Sequence, residues 1–358
     1  MNSKLNLVTA FRLLALMSIG WACTPKSDAV ITPPPPTNSN PDWLVPKNQV
    51  FDGGPGRDGI PSIDAPLFTR NQDSIGFMED FDLVLILKIG EEVRAYPHPI
   101  LDWHEIVNDD IDTLSVAINY CPLTGTGIGW NRKIDGQKTS FGVSGLLYNS
   151  NLMPYDRNSE STWSQLKLQC VNGPLIGRSP QTISLIETTV FTWRKMYPGS
   201  KLLIGGRGRV RPYGVYPYGD FKTNHNRLLF PVDHSDDARF PKKERLLSII
   251  HQQDVKGVPF TFFPKNGIGL TLRTVGGEPV VVIGSKEYNF MCAYFSKNKS
   301  FEAVQNRLPI VMKDASNNFY DVFGRVVEGP EKGAQLKSPT FMMGYWFAWA
   351  AFYPDIDL

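Results

Sequence analysis

Cys121, His104 and Asp109 are the side chains whose types and spacing could support chemistry in this chain of 358 residues. Cys121 sits in Asn119-Tyr120-Cys121-Pro122-Leu123-Thr124-Gly125-Thr126-Gly127, directly after the β-type run Leu114-Ser115-Val116-Ala117-Ile118. Pro122 cannot donate to a sheet ladder, and Gly125 and Gly127 permit backbone angles closed to other residues. The strand is therefore expected to end here and to leave the thiol on a turn. His104 lies just upstream, in Trp103-His104-Glu105-Ile106-Val107-Asn108-Asp109. A thiolate and an imidazole are ligands that copper, and after it zinc, selects, with Met153 as the candidate third ligand. No close-spaced pair such as His-x-x-x-His occurs, so such a site has to be assembled by the fold. The same two residues could instead act as nucleophile and base. Cys121 would attack an acyl centre, His104 would take the proton, and Asp109 or Asn108 would orient the ring. The amides of Gly125 and Gly127 would then form an oxyanion hole. The plain alternative is a small buried cysteine and a histidine hydrogen-bonded near a helix.

Two further stretches are rich in binding groups. Ser144, Tyr148, Asn149, Asn151, Tyr155, Asp156, Arg157, Trp163 and Gln165 form a polar and aromatic strip that suits a hydroxyl-bearing small molecule or glycan. Residues of these types also satisfy turns, and Trp163 packs equally well in a core. Residues 205–243 carry Arg207, Arg209, Arg211, Tyr213, Tyr216 and Tyr218, then Asp233-His234-Ser235-Asp236-Asp237. Arginines in this pattern can hold an anion, and Asp233 with His234 can contribute to a metal site. The simpler reading is a solvated crossover pinned by its tyrosines.

The elements that must position these groups are mainly strands. The run 81–89 reads as a buried strand, Gly90-Glu91-Glu92 as a turn, and Val93-Arg94-Ala95-Tyr96-Pro97 as the returning strand of a hairpin. A short helix is expected over 99–107, carrying His104 and Glu105. The loop of 53–64 is glycine-rich but lacks a Gly-Lys-Ser/Thr ending, so it is no phosphate-binding loop.

The chain also repeats itself. Val171-Asn172-Gly173-Pro174 with Gly177 matches Val327-Glu328-Gly329-Pro330 with Gly333. At the same offset, Phe191-Thr192-Trp193-Arg194-Lys195-Met196-Tyr197-Pro198 matches Phe347-Ala348-Trp349-Ala350-Ala351-Phe352-Tyr353-Pro354, and at an offset six residues longer 245–259 resembles 83–97. An α+β fold is expected, made of two related β-rich modules with predominantly antiparallel sheets and few short helices. Module one spans 48–204, a connector 205–243, and module two 244–358. An ungapped comparison of 112–132 with 277–297 sets Lys286 opposite Cys121, and the cysteine turn has no counterpart. This asymmetry makes module one the candidate site and module two the support.

Several of these motifs carry a family resemblance. Arg94-Ala95-Tyr96-Pro97, the stretches around His104 and Cys121, the segment 141–151, Tyr155-Asp156-Arg157, Ser161-Thr162-Trp163-Ser164-Gln165 and Trp346-Phe347-Ala348-Trp349 together resemble the DUF3179 family of uncharacterised domains. The resemblance runs from about residue 53 to the C-terminus. It implies an extracytoplasmic bacterial or archaeal protein and brings no activity with it. Many relatives have Cys-x-x-Cys at the turn, whereas Thr124 holds the second position here, which removes the dithiol.

The first residues address the compartment. Lys4 and Arg12 precede the apolar run 13–20, too short for a permanent membrane helix, and Gly20-Trp21-Ala22-Cys23 follows. This resembles a bacterial lipoprotein signal over 1–22, with Cys23 lipidated and a proline-rich tether over 23–47. The expected location is the cell envelope, on the periplasmic or cell-surface side, anchored to the membrane. Without Lys4 and Arg12 the remaining 35 Lys and Arg balance 35 Asp and Glu, so no basic field points to nucleic acid. Cys121, Cys170 and Cys292 are an odd set, which excludes a disulfide scaffold. Copper or zinc binding at Cys121 and His104 in a noncatalytic role is the first expectation. A cysteine-dependent enzyme, a glycan or small-molecule binder, and a structural surface lipoprotein are the alternatives.

Overall fold

The computed structural model describes residues 42–71, 76–207, 211–297 and 299–358. The leader, Cys23, most of the proline-rich stretch and Arg209 lie outside the described residues. Residues 42–45 already belong to the body, where the Leu44 amide donates to Val171 O at 2.9 Å and Val45 is buried beside Met153 and Val171. The docked chain thus starts a few residues before the boundary expected at 48. The fold is β-rich, with mostly antiparallel sheets and, among the described residues, three short α-helices: α1 (His98–His104), α2 (Val190–Met196) and α3 (Trp346–Phe352). Among the described residues no helix is long and apolar enough to cross a membrane.

The hairpin Leu83–Ile89/Glu92–Pro97 pairs from Val84↔Pro97 to Ile89↔Glu92, and Gly90 at φ +57° closes the turn. Its first strand is apolar without alternation because both of its faces are covered. Val84 and Ile86 pack into one core with Trp193, while Leu85 and Leu87 pack into another with Ile100, Leu101 and Ile118. Ile186–Thr189 pairs antiparallel with Leu83–Ile89, and Lys201–Gly206 pairs parallel with Glu92–Pro97. A meander of Ile106–Ile111, Leu114–Cys121 and Thr126–Asn131 and a longer one from Phe141–Tyr148 to Gln169–Asn172 complete this half.

The second half opens on a hairpin and ends on a short helix. The hairpin Arg245–His251/Asp254–Pro259 is joined by the return strand Thr340–Tyr345, which leads into α3. The three-strand meander is Gly269–Val275, Glu278–Ser285 and Phe290–Phe295. Its second turn is closed by Ser285↔Phe290, as the cysteine turn is closed by Cys121↔Thr126. Ser285 closes this turn as Cys121 closes the other, with Lys286 the next residue.

The halves share their cores. One cluster joins Val84, Ile86 and Trp193 to Leu247, Val281, Phe290 and Phe341, and another joins Trp130 and Trp163 to Trp346 and Trp349. Truncating a tryptophan buried this completely costs roughly 3–5 kcal/mol.

Candidate functional site

α1 is the element around which polar groups collect. It reads His98-Pro99-Ile100-Leu101-Asp102-Trp103-His104, with Pro97 as its cap and Pro99 in the first turn, where a missing N–H costs nothing. Ile100 and Leu101 are fully buried. The helix is shorter than the sequence pattern implied, because Glu105 takes φ +57°, ψ −36° and feeds directly into Ile106–Ile111. That angle is costly for a residue with a Cβ and persists only where the surroundings enforce it. Here the Glu105 amide donates to Leu101 O at 2.7 Å and its carbonyl accepts from the Tyr120 amide at 2.7 Å.

His98 and Asp102 stand one turn apart and line one cavity of about 320 Å³. Its walls include Phe77, Phe81, Tyr120, Gly125, Glu187, Tyr216, Lys222, Arg245 and Tyr345. The His98 ring packs against Tyr120 with centroids 4.3 Å apart, and burial holds its pKa well below the ordinary value, so it is neutral. Its Nε2 lies 3.2 Å from Glu187 Oε2, without the alignment of a hydrogen bond, and Glu187 also pairs with Arg245. Asp102 Oδ2 accepts from Lys222 Nζ at 2.8 Å, and burial pushes this carboxyl up to about 6. Asp102 Oδ1, His98 Nε2, both Glu187 oxygens and the Tyr216 hydroxyl are buried without a hydrogen-bond partner. Such atoms are rare in folded proteins and call for an explanation.

A second cavity, of about 220 Å³, adjoins the first across Asp102, which lines both. Ile60, Leu123, Val143, Leu146, Leu147, Leu152 and Phe230 make it mainly apolar. Glu105 opens onto it with the Tyr218 hydroxyl at 3.3 Å, and burial pushes this carboxyl up to about 7. The connector roofs both cavities, through Tyr213, Gly214 and Tyr216 over the first and Arg211, Pro217 and Tyr218 over the second. It is fastened by Trp103 Nε1 to Val215 O at 2.9 Å and by Lys243, which donates to the carbonyls of Phe221 and Asn224.

The structure does not gather Cys121, His104 and Met153 into one group. His104 Nδ1 faces Pro61 O at 2.7 Å, and a carbonyl only accepts, so Nδ1 carries the proton and Nε2 accepts from Tyr213 Oη at 2.9 Å. Both nitrogens are spent. Cys121 is 1% exposed, its Sγ 3.6 Å from Ser150 O, and burial pushes the thiol up to about 11. Met153 belongs to the small cluster with Val45 and Val171. No group of three or more His, Cys, Asp or Glu suited to a metal ion occurs among the described residues. Asp109 receives hydrogen bonds from Arg94 at 2.6 Å and Tyr96 at 2.7 Å, and Asn108 holds Asp64 and the Phe141 backbone. The Gly125 amide donates to Cys121 O, and Gly127 is a ladder residue opposite Tyr120.

The polar strip is largely turned inward. Gln165 donates to the carbonyls of Asn119 and Thr126 and accepts from Thr126 Oγ1 and Asn151 Nδ2, all within 3.2 Å. Asp156 accepts from Trp163 Nε1 at 3.0 Å, Ser144 donates to Met153 O, and Asn149 exchanges bonds with Asp233. Tyr155 and Arg157 tie this sheet to Asp58, Ser62 and Asp64. Tyr148 packs edge-on against Phe352. Asp233 is therefore engaged by an amide. The expected turn contributes to the cavities through other members, Tyr120 and Gly125 to the first and Leu123 to the second.

The residues missed by sequence reasoning are His98, Asp102, Glu187, Lys222 and Arg245. The His-x-x-x-Asp spacing at the start of the helix is a signal for the first two. Glu187, Lys222 and Arg245 come from three distant segments and left none.

A family model described as "Protein of unknown function (DUF3179)" matches residues 57–356. No curated protein and no solved structure matches the chain.

Proposed function

This chain belongs to the DUF3179 family, and from the cavity over α1 we propose that it binds a small, neutral, hydroxyl-rich molecule in a noncatalytic role. The observation that carries this reading is that Asp102 Oδ1 and the Tyr216 hydroxyl are buried without a partner in one cavity, beside His98 and the ion pair of Glu187 with Arg245. Each costs folding free energy unless a ligand pairs it, at roughly 1–3 kcal/mol per group. Asp102 and Glu187 accept hydroxyl protons, while Tyr216 and His98 can both donate and accept. The carboxylates are balanced by Lys222 and Arg245, so the cavity demands no net charge from its occupant. The rings of Tyr120, Tyr216 and Tyr345 supply aromatic lining of the kind found around a pyranose, one face of Tyr120 being covered by His98 and one of Tyr216 by Lys222.

Saturation-transfer NMR on the fragment 41–358 with D-glucose, D-glucuronate and D-glucosamine tests this. Transfer to the neutral sugar, weaker for the charged pair and lost in Asp102→Ala, is the expected result. No transfer to the neutral sugar, or transfer unchanged in Asp102→Ala and His98→Ala, overturns it.

We also propose that this body is held at the cell envelope by lipidated Cys23. The supporting observation is the Gly20-Trp21-Ala22-Cys23 sequence after a short apolar run. Cys23→Ser is expected to move the protein from the membrane to the soluble fraction, and unchanged fractionation would refute the anchor.

A further inference from the structure

The second cavity adjoins the first. Asp102 is the one residue common to the linings of both, and the connector roofs both. Asp102 is nearly wholly buried, its Oδ2 is held by Lys222, and its Oδ1 has no partner. An unpartnered acceptor therefore lies where the two linings meet. Beyond that boundary the walls turn apolar, with Leu123, Val143, Leu146, Leu147, Leu152 and Phe230 around a space of about 220 Å³. This suits a short hydrocarbon or aryl group.

We infer that the occupant is amphipathic: its hydroxyl-rich head fills the first cavity, and a short aliphatic or aromatic substituent passes Asp102 into the second. The inference rests on the hydroxyl-binding reading of the first cavity and adds the second half of the ligand. Glu105 does not oppose it, because burial pushes that carboxyl up to about 7, which leaves it largely uncharged in mildly acidic solution. Arg211 lies against the Trp103 ring at 5.7 Å.

The test is calorimetric titration with methyl β-D-glucopyranoside and n-hexyl β-D-glucopyranoside. Each methylene buried tightens binding about fourfold, so the hexyl compound is expected to bind at least tenfold more tightly. Leu146→Trp narrows the second cavity from a partly exposed position and should return the hexyl affinity to the methyl value while leaving methyl binding unchanged. Leu152→Phe provides a second variant with the same expected pattern. Equal affinities of the two glucosides overturn this inference and leave the head-group reading standing. Failure of both to bind overturns the head-group reading, and this inference with it.

Discussion

The Tyr213 hydroxyl donates to His104 Nε2 at 2.9 Å, joining the connector to the last residue of α1 across 109 positions of sequence. With Trp103 bound to Val215 O, it fixes the roof of both cavities onto their floor. Tyr213→Phe removes one hydrogen bond and leaves a buried imidazole nitrogen unsatisfied. The expected loss is about 1–2 kcal/mol, with faster amide exchange confined to 211–222. Urea denaturation and hydrogen exchange measure both, and unchanged exchange in that segment would show that the bond does not hold the roof.

Asp102 and Glu105 make a distinctive pH profile. Both carboxyls are raised by burial, to about 6 and about 7. Between the ordinary carboxylate range and these values the folded chain keeps protons that the unfolded chain releases. Their contribution to stability is therefore full below about pH 4 and is lost as pH rises towards 7. The Glu105 shift, from 4.5 to about 7, corresponds to roughly 3 kcal/mol. Glu105→Gln should flatten the fall between pH 5 and 7.5 in chemical denaturation, and a variant that keeps the native slope would contradict the assignment.

Thiol chemistry should be silent in the native state. Cys121, Cys170 and Cys292 are free and buried, and burial pushes the first two up to about 11. In a Cys23→Ala chain, a disulfide reagent at pH 8 should titrate no rapid thiol before denaturation and three after it. Fast modification of Cys121 in the folded protein would revive the nucleophile reading.

The inward polar network should be expensive to break. Gln165 satisfies two backbone carbonyls and two side chains at once. Gln165→Leu leaves those partners unpaired and is expected to cost about 3 kcal/mol or more. A urea midpoint within experimental error of the native one would mean that water replaces the amide.

The hairpin 83–97 and the strand ending at Cys121 were legible because their signals are local: an apolar run, Gly90 at the turn, and Pro122 after the strand. The helix was legible but misplaced at its end, since nothing in Glu105 announces a positive φ. The strip 144–165 misled for a physical reason. Amide and hydroxyl side chains look alike in sequence whether they meet a ligand or, like Asn151 and Gln165, meet each other inside the fold. The cavity itself was out of reach, because Glu187 and Arg245 meet only after strands from both halves are in place.

The shared core sets the timing of biosynthesis. Val84, Ile86 and Trp193 are covered by a cluster that includes Leu247, Val281, Phe290 and Phe341. A ribosome that has released residue 206 has delivered the first half's strands but not the residues that seal their apolar side. The nascent chain must remain adhesive until the return strand Thr340–Tyr345 emerges and pairs with Arg245–His251. A premature stop anywhere before that strand therefore yields not a shorter working protein but an exposed hydrophobic sheet. Truncated products of this gene should be found in aggregates or degraded rather than as a functional half.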